Sequence, residues 1–152
     1  MKTEKLLVTS FRRAMSRFVL RIFKRAACRL TGVYLVGKMK IINLTRKTVI
    51  AQQAEVADSF FPRMVGLLGR KSLLEGEGLV ITRCNSIHMF FMRFAIAAIF
   101  IDGNKKVVGI VKSIQPNRIS AIYWRAKAVI ELPVGAIDKT FTKLNDELVF
   151  EV

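Results

Sequence analysis

From residue 39 to the C-terminus, short apolar runs alternate with polar breaks at the two-residue period of half-buried strands. The runs cover 39–44, 48–57, 79–82, 86–92, 96–101, 106–114, 126–132 and 147–152, and they are rich in the β-branched and aromatic side chains that suit a pleated surface. Asp102-Gly103-Asn104 is a turn signal between two of them, and Pro116 and Pro133 each end one. One segment departs from this period. Over 59–68, Ser59 can cap a helix, Pro62 suits its first turn, and Phe60, Phe61, Met64, Leu67 and Leu68 form an apolar stripe that Gly69 terminates. A single helical turn is expected over 136–141. The pattern predicts an α+β fold, a β-rich single domain with about seven short strands in a twisted or barrel-like sheet and one main helix, 59–68.

Before residue 39 the period is helical. Phe11, Met15, Phe18, Ile22 and Ala26 recur every three or four residues, with Arg13, Arg17, Arg21 and Lys24 between them. Residues 1–38 hold ten basic side chains and one acid, a net of +9, whereas 39–152 carry a net of +6. The chain therefore divides into a basic amphipathic leader, 1–38, and a β-rich domain, 39–152. The longest uncharged run of the leader, 30–37, is far short of the roughly 20 residues that cross a bilayer, so no transmembrane helix is expected. Arginines interleaved with apolar residues also fit a secretory signal poorly. Two readings follow. In one, residues 11–30 lie on an anionic membrane surface or act as a targeting arm. In the other, translation starts at Met39 and the leader has no role. The expected location is cytoplasmic, peripheral on the membrane if the leader acts.

The composition narrows the class. With 152 residues and 52% apolar side chains the chain can bury a core without staples, and two cysteines, Cys28 and Cys84, make no disulfide framework. One histidine and two cysteines fall short of a structural zinc set, so no metal and no cofactor are expected. The Gly66–Gly69 and Gly76–Gly78 glycines lack the Lys-Ser/Thr ending of a phosphate loop. The net charge of +15 favours anionic partners, but the domain shows no basic stripe with interleaved aromatics, and specific nucleic-acid binding is not expected.

The sole histidine, His88, is the candidate general base. On a regular strand Cys84, Ser86, His88 and Met92 share one face, but Cys84 and His88 then lie about 13 Å apart, too far for a dyad. Arg93 ends the densest apolar run, and Glu131 is one acid inside the apolar run 126–132. The two are expected either to pair or to line a pocket, because a charge in such surroundings needs a partner or a ligand. The candidate binding set is Ser86, His88, Met92, Arg93 and Glu131.

The order Gly66-Leu67-Leu68-Gly69-Arg70, Gly78-Leu79, Ser86-Ile87-His88-Met89-Phe90-Phe91-Met92-Arg93-Phe94, Ile99-Phe100-Ile101-Asp102 and Glu131-Leu132-Pro133-Val134-Gly135 resembles the prokaryotic family called domain of unknown function 192. The resemblance covers residues 39–152 and implies a compact β-rich domain, but no reaction. Where the family pattern has Pro-Ile-Asp, this chain has Ala95-Ile96-Ala97, and where it has Gly-Asp, this chain has Asn145-Asp146. The expected function is a non-catalytic module that binds a small ligand or a protein partner. The alternatives are an enzyme acting on a small polar or anionic substrate with His88 as base, and a membrane-surface adaptor acting through the leader.

Overall fold

The computed structural model describes residues 38–58 and 67–152. The leader up to residue 37, and all of the predicted 59–68 helix except Leu67 and Leu68, lie outside the described residues. Gly69 has φ +86°, a left-handed conformation that glycine adopts without strain.

Among the described residues seven strands form one sheet: β1 (Met39–Asn43), β2 (Thr48–Ala57), β3 (Glu77–Thr82), β4 (Ile96–Ile101), β5 (Val107–Ile114), β6 (Ala128–Pro133) and β7 (Leu148–Glu151). Their order is β5-β4-β6-β3-β2-β1-β7, with β2 and β3 parallel and the other pairs antiparallel. The two outer strands meet at one end. The Val107 N–H donates to the Asp146 carbonyl (2.9 Å), and the Leu148 N–H donates to the Lys105 carbonyl (3.1 Å). Two register shifts in β1–β2 and two in β4–β5 add the local bend that such curling requires. The result is a half-barrel, as the alternating pattern predicted.

Each face of the sheet carries its own core. Residues from all seven strands, among them Ile41, Ala54, Val80, Ile99, Val107, Ile130 and Leu148, fill the inner face. The short helix α1 (Ala136–Lys139) follows Gly135 at φ +92° and adds Ile137 to that cluster. The outer face of the middle strands, with Leu79, Ile81, Ala98, Phe100 and Val129, is covered by Leu67, Leu73, Ile87, Met89 and Ala126 from the connections.

One predicted strand is absent. Residues 86–92 make a single bridge, His88 with Ile119, and otherwise form an arm laid over the outer face. The arm ends in a turn in which the Met92 N–H donates to the Met89 carbonyl (3.3 Å) and Phe91 adopts φ +66°, where glycine or asparagine is the usual choice. Its aromatic residues anchor a cover and do not extend the sheet, and periodicity alone does not separate the two cases.

Gly109 in β5 makes room for the next covering segment. A Cβ there would lie 2.2 Å from a carbon of the Tyr123 ring, which stacks on Phe100 at a centroid distance of 4.2 Å. Replacing Gly109 by Ala must displace that ring, at a cost of about 1–3 kcal/mol. Urea titration should show the loss, and a midpoint equal to wild type would mean that Tyr123 is not held there.

Candidate functional site

β6 puts Glu131 in the middle of the sheet. Its flanking residues Ile130 and Leu132 point into the inner cluster, so Glu131 shares the outer face with Val129. Across the ladder it stands opposite Leu79 of β3 and Ala98 of β4, both members of the outer apolar cluster. Glu131 is 6% exposed, and among the described residues its carboxylate has neither a hydrogen-bond nor an ion-pair partner. Every fully enclosed side-chain nitrogen or oxygen among the described residues is partnered, so the Glu131 oxygens retain a narrow opening to solvent. Burial penalises the charged form and pushes the carboxyl pKa up to about 7. The side chain is therefore an acid near neutrality that either protonates or meets a ligand.

The other predicted residues divide between this layer and the surface. Met92 is half-buried and packs on the outer cluster, the layer to which Glu131 points. Ser86, on the covering arm, contacts Ser120 (Oγ to Oγ 3.2 Å), and Ser120 Oγ accepts the Ile87 N–H (3.0 Å), which ties the arm to the 117–123 segment. His88 points outward between buried Ile87 and Met89, with its ring stacked on Phe90 at 5.5 Å. Partial desolvation lowers its pKa, and among the described residues no carboxylate or hydroxyl is within hydrogen-bond reach of the ring. Arg93 is exposed, and no ion pair joins it to Glu131. The expected Arg93–Glu131 pair is corrected on this point. Arg93 lies in the irregular connection before β4, and nothing turns it under the cover. Cys84 is half-buried, its Sγ donating to the Ser86 carbonyl (3.1 Å). Arg70 pairs with Glu55 (2.6 Å) at the surface, a structural contact of small worth.

Ala97, where the resemblance implies an acid, is fully buried in the inner cluster opposite Leu132. It faces away from Glu131, so its loss leaves the surroundings of Glu131 unchanged.

Two features escaped the sequence reading. A cleft of about 410 Å³, lined in part by Thr48, Gln52, Val134 and Thr140, is spanned by the Lys139–Glu75 ion pair (2.7 Å) and contains none of the candidate residues. At the half-barrel seam, buried Asp146 accepts three hydrogen bonds at one oxygen, Oδ2: from Asn43 Nδ2 (2.9 Å), Arg46 Nε (3.1 Å) and the Lys143 N–H (2.8 Å). Among the described residues no cluster of three or more His, Cys, Asp or Glu is placed to hold a metal, and no helix is long and apolar enough to cross a membrane.

The fold is that of a small β-rich half-barrel domain, and among the described residues Glu131 is a buried acid without a partner. The chain belongs to domain of unknown function 192, described as an uncharacterised ACR family, which it matches over residues 41–150. It is 37% identical over 116 residues to a UPF0127 protein of Thermococcus sibiricus, covering 74% of this chain and 75% of that protein. It is 34% identical over 111 residues to a UPF0127 protein of Pyrococcus furiosus, covering 71% and 95%. The fold is shared with a Novosphingobium aromaticivorans protein of unknown function, at TM-score 0.65 and 19% identity, covering 82% of this chain and 96% of that one. A Sinorhizobium meliloti structure is similar at TM-score 0.65 and 20% identity, covering 78% and 98%.

Proposed function

We propose that the domain is a non-catalytic module that binds a small ligand on its outer face, with Glu131 as the recognition group and Met92 as an adaptable part of the wall. The observation that carries this reading is the Glu131 carboxylate itself, 6% exposed among apolar side chains and without a partner among the described residues. Such a group costs stability, and natural proteins keep it where a ligand completes it. Its chemistry selects the ligand: a carboxylate accepts from an ammonium or another strong donor, and Leu79, Ala98 and Val129 around it favour an apolar body. Anionic molecules are disfavoured by the same charge. Catalysis with His88 as base gains no support from its surroundings, since no group orients the ring.

The test is a thermal-shift titration at pH 8 with phenethylamine, set against phenylacetate as its anionic counterpart. The amine should raise Tm by a few degrees in the wild-type chain and not in Glu131→Gln, because binding to the native state alone stabilises by mass action. Phenylacetate should do neither. Equal shifts in wild type and variant, or a shift by phenylacetate alone, would overturn the assignment.

A further inference from the structure

Residues 103–130 contain six cations, Lys105, Lys106, Lys112, Arg118, Arg125 and Lys127, and no acid. Within this stretch, 118–127 is a connection whose backbone is tightly held. The Met89 N–H donates to the Arg118 carbonyl (2.7 Å), Ser120 N–H to Ile87 (2.9 Å), and Tyr123 N–H to Asn85 (2.8 Å). The Tyr123 ring is seated over Gly109 and against Phe100. The same connection leaves Ile119 62%, Ile122 52% and Trp124 80% exposed. Trp124 also borders a shallow cleft of about 340 Å³ with Val108 and exposed Leu144. Folding gains nothing from displaying these side chains on a pinned loop, and large exposed apolar groups with polar surroundings mark interaction surfaces.

We propose that the 118–127 loop is a docking surface for an anionic lipid bilayer. Trp124 sits at the headgroup level, where tryptophan is enriched, and Ile119 and Ile122 enter the boundary of the acyl region. Arg118 and Lys127 meet lipid phosphates together with Arg125, whose guanidinium also lies 3.8 Å from the Asp102 carboxylate, and the acid-free stretch 103–130 limits repulsion from an anionic leaflet. The aliphatic residues favour lipid over a nucleic acid. Bases stack on aromatic faces, and this surface offers one exposed tryptophan among isoleucines that cannot stack. The leader's basic amphipathic pattern over 11–30 favours the same surface on separate grounds, and durable peripheral binding generally needs two such signals.

Trp124 is the only tryptophan of the chain, so its emission reports this loop and nothing else. In the full-length protein, phosphatidylglycerol-containing vesicles should shift that emission to the blue and protect it from iodide, and both effects should fade at high salt. Phosphatidylcholine vesicles should produce neither. Ile119→Ser/Ile122→Ser, two changes at exposed positions, should raise the lipid concentration for half-maximal shift about tenfold. Vesicle binding with unchanged Trp124 emission would assign the membrane contact to the leader and overturn the proposal. An unaltered midpoint in the double variant, or stronger quenching by a single-stranded oligonucleotide than by vesicles, would overturn it as well.

Discussion

Glu131→Gln should make the protein more stable than wild type at pH 8, by up to roughly 3 kcal/mol, and about equally stable near pH 5. The carboxyl pKa is raised from 4.5 to about 7 in the folded chain. Between those values the folded state holds a proton that the unfolded state has released, so wild-type stability falls as pH rises through this window and levels off above it. Glutamine keeps the shape and removes the charge, and thus escapes the penalty at high pH. For a domain of this size the gain corresponds to a Tm increase on the order of 10 °C, reduced by whatever the buried amide costs in turn. Urea titrations of both proteins at pH 5 and pH 8 check it. A loss of several kcal/mol at pH 8 would mean that a buried cation pairs with Glu131, since removing one partner of such a pair costs about 3–5 kcal/mol. The measurement separates stability from recognition: the variant should gain the former and lose the response to phenethylamine.

The same residue shows how far the sequence could be read. An acid inside the apolar run 126–132 announces itself, because alternation places Glu131 on the face of Val129 whatever the sheet order. Its lack of a partner did not announce itself. Pairing with Arg93 depends on where an irregular connection of several residues turns, and no local rule fixes that. Strand positions were legible for a related reason: β1, β2 and β4 through β7 follow directly from alternation and turn chemistry. The parallel placement of β2 beside β3, and the position of β6 between β3 and β4, are long-range choices that alternation does not encode. The 86–92 segment has the period of a strand without being one, because an arm that buries Ile87 and Met89 over a sheet alternates as a strand within one does. The exposed Ile119, Ile122 and Trp124 were hidden by a similar ambiguity, for apolar residues in a β-rich chain are expected in its core.

Asp146 carries the second large expectation, and it lies at the point where the half-barrel closes. Its Oδ2 gathers donors from Asn43 on β1, Arg46 in the β1–β2 turn and the backbone of Lys143, while Asn43 Nδ2 also reaches Thr142 Oγ1 (3.2 Å). The adjoining Asp146 carbonyl accepts the Val107 N–H, so this residue links β5 to β1 across the seam. Burial acts to raise its pKa, but the hydrogen bonds from Arg46, Asn43 and Lys143 together outweigh it and hold the carboxyl below its ordinary value. The sign is therefore opposite to that of Glu131. Asp146 contributes stability above the ordinary carboxylate pKa, and that contribution is lost as pH falls through the lowered folded value. Asp146→Ala leaves one N–H of the fully buried Asn43 amide and the Lys143 N–H without their acceptor, and should cost about 3 kcal/mol at pH 7. Asp146→Asn can still present a carbonyl oxygen to the donors and should cost about half as much. Guanidinium titrations of the two variants test the account. Equal losses would show that the cost comes from disturbed packing at the seam, and no loss in Asp146→Ala would show that the closure of the half-barrel does not depend on this oxygen.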